Sequence, residues 1–168
     1  MTCGPCDALT GGRQRREGRA WSRIGPMTAD LDRFVTAQED SYEGVVGELR
    51  GGRKTGHWMW FIFPQIAGLG MSQMSRYYAI LGLDEARSYL AHPVLGPRLR
   101  ECTGIVAATT SRTAREIFGE VDAMKLRSSM TLFQRAAPDE SAFREVLERY
   151  FDGIADEATG ALLARYVR

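Results

Sequence analysis

The side chains best suited to chemistry fall into two groups about seventy positions apart. The first follows Gly51-Gly52: Arg53, Lys54 and His57, leading into Trp58-Met-Trp60-Phe-Ile-Phe-Pro64 and Gln65. The second is Asp122, Lys125, Ser128 and Ser129. Amides of a glycine turn, with cations beside them, can hold a phosphate or another anion. The spacing is not that of a Walker loop, so a solvated loop is the competing reading for Lys54. A histidine ordinarily titrates near pH 6.5, which suits proton transfer. His57, between the cationic loop and a tryptophan, is therefore a candidate acid–base group; the alternative is a structural histidine bonded near the core.

Residues 121, 125, 128 and 132 share one face of a predicted helix over Glu120–Ala136. That face reads Val121, Lys125, Ser128, Leu132, flanked by Asp122 and Ser129. A lysine and hydroxyls among apolar residues are costly to bury unless paired. One account is internal, with Asp122 bonding Lys125 at i, i+3 and the serines bonding carbonyls. The other is a pocket whose ligand completes the bonding, with Asp122 as a second acid–base candidate. In a strand Trp58 and Trp60 would face one side and could stack on a base; in a helix they diverge. Gln65 and Gln38 could read a base or amide edge, or tie down loops.

Several classes are excluded. No Gly-x-Ser-x-Gly or His-Glu-x-x-His occurs, and two histidines without an acidic cluster make poor metal ligands, so neither metal nor cofactor is expected. Cys3-Gly-Pro-Cys6 has redox spacing but no strand before it. Three cysteines are an odd number, which argues against a disulfide framework and for a reducing cytoplasm, with Cys102 a small core residue. No apolar run approaches the roughly 20 residues of a membrane span, and the first 26 residues lack a secretory core. The net charge is +1 overall. Residues 1–26 hold five Arg against Asp7 and Glu17, so +3, which leaves −2 for the rest and argues against nucleic acid as its partner.

These groups need elements to position them. At 168 residues, 44% hydrophobic and 26% charged, the chain suits one globular domain. Residues 1–26 lack hydrophobic periodicity and read as a disordered N-terminal tail; Met27 is a plausible start, and residues 27–168 form the domain. Thr28 can cap a helix over about 29–50 that carries Leu31, Phe34, Val35, Gln38, Tyr42, Val45, Val46 and Leu49 inward and stops at Gly51-Gly52. Trp58–Phe63 is a short buried strand or a buried helical turn, closed by Pro64. Ser72 caps the next helix, and Asp84 begins one that stops at His92-Pro93, where His92 would bond last-turn carbonyls. Pro97 fits a first turn. Thr113 caps Ala114–Phe118, Gly119 ends it, Glu120–Ala136 follows, and Asp139 or Ser141 starts a helix stopped by Gly153. A last helix covers Glu157–Tyr166. The fold class is mainly α, a compact bundle of seven to eight short helices around an aromatic central segment.

Five stretches in order carry a resemblance: Asp30-Leu-Asp-Arg-Phe-Val-Thr-Ala-Gln38, His57-Trp-Met-Trp-Phe-Ile-Phe-Pro-Gln65, Gly68-Leu-Gly-Met-Ser72, Tyr89-Leu-Ala-His-Pro-Val-Leu-Gly-Pro-Arg-Leu99 and Lys125-Leu-Arg-Ser-Ser-Met-Thr-Leu-Phe133. Together they resemble the bacterial family catalogued as domain of unknown function 1810, over roughly Asp30 to Phe151. The resemblance implies a mainly helical cytoplasmic domain and no established activity. The run Tyr89–Ile105 is also similar in pattern to a late helical segment of the NADAR family, whose members act on ADP-ribose-type N-glycosides. Two functions follow. One is binding of a small anionic, nucleotide-like metabolite by Lys54, Trp58, Trp60, Gln65, Lys125, Ser128 and Ser129, with hydrolysis of an N-glycosidic bond by His57 or Asp122. The other is a non-catalytic protein-interaction module.

Overall fold

The computed structural model describes residues 30–166. The expectations for residues 1–26, Met27 and Thr28 lie outside the described residues. The chain is mainly helical: α1 Asp32–Glu39, α2 Tyr42–Arg50, α3 Met59–Ile62, α4 Gln73–Tyr77, α5 Leu83–Ala91, α6 Leu95–Ala108, α7 Ala114–Phe118, α8 Glu120–Ala136, α9 Ser141–Phe151 and α10 Glu157–Tyr166. Extended pairing among the described residues is one parallel bridge, Ile66 with Ile80. The most buried long helix is α8, which packs against α5, α7, α9 and α10.

The helix expected over 29–50 is two helices, broken at Asp40-Ser41. The Ser41 hydroxyl donates to the Ala37 carbonyl at 2.7 Å, and the Ser41 amide reaches only the Gln38 carbonyl, at 3.3 Å. Such local bonding competes with the helical ladder. The break lets α1 pack on α3 while α2 packs on α6.

The aromatic stretch resolves into the helical turn, not the strand. Met59, Phe61, Ile62 and Phe63 are buried and Trp60 is half-buried. A four-residue helix cannot pair its own carbonyls. Other helices supply the donors. Gln38 Nε2 donates to the Phe61 carbonyl at 2.8 Å, and the Tyr89 hydroxyl donates to it at 3.2 Å. Gln38 Nε2 also reaches the Tyr89 oxygen at 3.1 Å, and Gln38 Oε1 accepts from Arg98 at 3.3 Å. Gln38 therefore ties the core together. Around this hub Phe34 meets Tyr89 edge-on at 5.1 Å, and Tyr89, Phe133 and Phe143 follow one another at 5.5 and 5.7 Å.

Most helix ends follow local chemistry. Ser72 accepts from the Ser75 amide at the start of α4, and Thr113 and Glu116 form a reciprocal capping box at α7. Gly119 leaves α7 at φ 80°, and Gly153 (φ 72°) sends its amide to the Leu147 carbonyl at the end of α9. His92 differs from expectation. Its Nδ1 accepts from the Val94 and Leu95 amides, at 3.2 and 3.3 Å, so it serves the start of α6 and not the end of α5.

Removing Gln38's donor should be costly, because the Phe61 carbonyl is enclosed. Gln38→Leu should lower stability by about 1–3 kcal/mol, read as a fall in Tm of roughly 2–4 °C per kcal/mol. Tyr89→Phe, which leaves Gln38 in place, should cost less. Equal losses in thermal unfolding of the two variants would show that the hub is not organised around Gln38.

Candidate functional site

Assembly of the site begins at the end of α2. Gly51 and Gly52 (φ 67°) turn the chain, and the Lys54 amide then bonds the Ile117 carbonyl at 2.7 Å, fastening the loop to α7. The loop is shaped by Glu48. Its carboxylate accepts the Thr55 amide at 2.7 Å, the Gly56 amide at 2.9 Å and the Trp58 indole N–H at 2.8 Å. A Cβ on Gly56 would lie 2.7 Å from the Trp58 ring, so only glycine admits this approach. Burial works to raise the Glu48 carboxyl, but the bonds from Gly56, Thr55 and Trp58 outweigh it and hold the group at about 2. Glu48 was not among the residues picked from the sequence. The available signal was an acid in the last turn of a helix, where the dipole disfavours negative charge.

Onto this loop converge five of the residues picked from the sequence. Lys54 Nζ lies 2.6 Å from the Gly56 carbonyl, 2.7 Å from Asp122 Oδ2 and 5.1 Å from the centre of the Trp58 ring. Lys125 Nζ lies 2.7 Å from Asp122 Oδ1 and 4.6 Å from the Trp60 ring centre. Two ammonium groups thus share one carboxylate, and each stands over an indole, the arrangement of a cation–π contact. The cluster carries +1. The side chains of Lys54, Asp122 and Lys125 are 9%, 18% and 20% exposed. The i, i+3 bond expected between Asp122 and Lys125 is present.

Chemical capacity follows from the count of donors. An ammonium has three N–H groups. Those of Lys54 face a carbonyl, a carboxylate and a ring, so they are used. Those of Lys125 face one carboxylate oxygen and one ring, so one donor has no partner among the described residues. Burial pushes the Asp122 carboxyl up, but the hydrogen bonds from Lys125 and Lys54 more than offset this and hold it below the usual carboxylate range. Asp122 is therefore ionised at neutral pH, and it has no proton to donate.

The other residues picked from the sequence sit apart from this arrangement or beside it. His57 is exposed on the same loop. Gln65 is half-buried, and its main-chain carbonyl accepts the Ile80 amide at 2.8 Å. Ser128 and Ser129 are buried in α8, and the Ser129 hydroxyl has no hydrogen-bond partner among the described residues. In α8 it is the Thr131 hydroxyl that bonds back to a helix carbonyl, that of Arg127 at 2.8 Å. Cys102 is buried, and burial pushes its thiol up to about 12, which keeps it protonated. Among the described residues no three His, Cys, Asp or Glu side chains are grouped as a metal would need.

Two outcomes test this geometry. Glu48 binds its proton more weakly when folded than when unfolded. Its contribution to stability is present above about pH 4.5 and is lost as pH falls towards about 2. Urea unfolding followed between these limits should show that loss, and Glu48→Gln should remove it. Asp122→Asn should leave two part-buried cations facing each other and cost about 3 kcal/mol. Adding Lys125→Met should recover a measurable part; a double variant no more stable than Asp122→Asn would mean that charge is not what Asp122 neutralises.

No helix among the described residues is long and apolar enough to cross a membrane. Comparison with curated proteins finds no match. Among solved structures the chain is similar to the conserved hypothetical protein Rv1873 from Mycobacterium tuberculosis, with 54% identity and a TM-score of 0.79, over 80% of this chain and 96% of that one. The family model described as protein of unknown function DUF1810 matches residues 28–163. The chain therefore belongs to the DUF1810 family.

Proposed function

We propose that the Lys54–Asp122–Lys125 cluster binds the anionic part of a small nucleotide-like metabolite of the ADP-ribose or NAD type. The observation that carries this reading is the spare donor on Lys125, set in a cluster of net +1 beside the half-buried ring of Trp60. In so screened a setting an added anion gains more from a cation than it would in open water. The phosphate would engage Lys125, with Trp60 along its base or ribose and His57 at the exposed lip. Trp58 and Lys54 form the back of the site and hold Asp122 in place. The hydrolytic form of the proposal is cleavage of an N-glycosidic bond. There Asp122, ionised, would face the positive charge that develops on the sugar, and His57 would carry the proton. The cellular setting we infer is the cytoplasm, supported by the odd cysteine count.

The test is calorimetry and thermal shift with ADP-ribose, NAD and AMP. We expect saturable binding that falls roughly tenfold or more in Lys125→Ala and is weakened in Trp60→Ala. Binding that survives both variants unchanged would remove the assigned site. Chromatography of NAD after incubation with the protein separates the two forms: release of free nicotinamide supports hydrolysis, and its absence leaves binding alone.

A second reading, a protein-interaction module without turnover, is favoured by one surface. Met71, Met74, Tyr77 and Leu81 are exposed close together in sequence, and α4 contributes no buried residue. Methionine-rich surfaces adapt to varied partners. Met74→Asp with Tyr77→Ser should abolish capture of a specific partner if this reading holds, and should leave ADP-ribose binding untouched if the first does.

A further inference from the structure

A second cationic centre lies on the other side of α8. Lys125 and Arg127 are separated by about 160° around the helix axis, so Arg127 does not serve the lysine cluster. It lines a cavity of about 490 Å³ with Arg115, Glu120, Met124, Tyr150 and Phe151, within the range of roughly 300–1,000 Å³ typical of small-molecule sites.

Arg127 is held in an unusual way for this chain. Its Nε donates to the Ile154 carbonyl at 2.8 Å and its Nη2 to the Ala155 carbonyl at 3.0 Å. Both acceptors belong to the turn between α9 and α10. The guanidinium carbon stands 6.0 Å from the centre of the Phe151 ring. Among the described residues no carboxylate pairs with it, as is also true of half-buried Arg98, whereas Arg33, Arg50, Arg87, Arg100, Arg115 and Arg144 each have one. A half-buried guanidinium without a counter-charge is costly unless an anion completes it.

The geometry of the bonds tells which anion. A guanidinium carries five N–H groups in a planar fork. The Nε–Nη2 edge is committed to the two carbonyls, which fixes the plane of the group. The end-on Nη1–Nη2 edge is left, and it matches the two oxygens of a carboxylate. Beside it lie apolar walls: the rings of Tyr150 and Phe151, 6.4 Å apart and inclined at 58°, and the side chain of Met124. The polar end of Tyr150 is turned away, because its hydroxyl lies against the carbonyls of Val106 and Thr109 at 2.7 and 2.6 Å. The cavity therefore offers one fork with no carboxylate partner among the described residues and flat hydrophobic sides, and its remaining wall carries the Arg115–Glu120 ion pair, at 3.1 Å, in which each charge is already matched. We propose that this cavity is a second ligand site, independent of the lysine cluster, for a small molecule that joins a carboxylate to a flat apolar body.

The experiment uses the full chain with 1-naphthoate as probe and its neutral amide, 1-naphthamide, as control. Calorimetry should show saturable binding of 1-naphthoate, and amide chemical shifts should move in residues 113–127 and 150–155. The amide should bind at least roughly tenfold more weakly, because it cannot accept the fork twice. Arg127→Met should abolish binding, although it also frees the α9–α10 turn. Met124→Glu avoids that problem. It alters an exposed position, and it places a carboxylate three residues before Arg127, where the two can pair along the helix. A folded Met124→Glu protein that has lost 1-naphthoate supports the proposal. Retained binding in that variant, equal binding of the amide, or no saturable binding to the unaltered protein would each overturn it.

Discussion

A carbonyl group that is buried and not paired costs a protein about as much as several good packing contacts return. The Phe61 carbonyl would be in that position without donors from other helices. Its helix, α3, is a single turn, and the side chains around it are among the most apolar in the chain. The apolar run from Trp58 to Phe63 is driven inward by its composition, yet its main chain must be satisfied wherever it lies. Gln38 and Tyr89 do this from α1 and α5, and Arg98 of α6 occupies the remaining end of Gln38. Four helices are thereby placed relative to one another by bonds with narrow geometry. Packing of Leu, Ile and Phe alone tolerates alternatives; a bonded network in the interior tolerates few.

The same turn explains why the two tryptophans behave differently. In a helix, residues two apart point in divergent directions. Trp58 turns into the core, against Phe63 and Phe118, while Trp60 remains half-buried. Each ring carries a lysine, and the two lysines meet at one carboxylate. Two effects compete at Asp122: burial favours the neutral acid, and two adjacent cations favour the carboxylate. The cations win, since both oxygens accept short bonds at 2.7 Å. Glu48 shows the same contest with neutral donors, and again the bonds prevail. Two acids held ionised fasten the loop between α2 and α3 in spite of its glycines, Glu48 at Thr55, Gly56 and Trp58 and Asp122 at Lys54.

What could be read in advance was whatever depends on neighbours in the chain. Thr113 with Glu116, Ser72 with Ser75, and Gly119 and Gly153 as stops are local chemistry, and they mark helix ends without reference to the rest of the molecule. The pairing of Asp122 with Lys125 is local in the same sense. The break at Ser41 is not, because an unbroken stripe of apolar residues runs through it and only the packing of α2 on α6 rewards the bend. Glu48 was invisible for a related reason. Its partners follow it by seven to ten positions, across a turn whose path no periodicity reports. The sequence puts His92 at the correct junction but on the wrong side of it, since a ring nitrogen can donate or accept, and only the path of residues 93–95 decides which. The meeting of Lys54 with Lys125 could be posed from residue types alone; what joins them, one shared carboxylate, required the fold.

The two cationic centres of α8 illustrate how lysine and arginine divide such work. A lysine ammonium is a compact charge with freely turning donors, and it suits a shared carboxylate and the face of a ring. Exchange of either lysine for arginine would put a wide, planar group where Asp122 offers each cation a single oxygen. Arginine at 127 has the opposite task. Two carbonyls from one turn present themselves side by side, and only a fork can take both while keeping an edge free. A lysine there could donate to both carbonyls, but its rotating ammonium would present no planar edge to a ligand. The charge beside Tyr150 and Phe151 has no carboxylate partner among the described residues. The lysine cluster, by contrast, depends on Asp122 staying ionised. One centre is partly neutralised from within the chain, two lysines on one carboxylate, and the other has no carboxylate among the described residues; this difference in charge accounting, more than any difference in shape, sets what each side of α8 can hold.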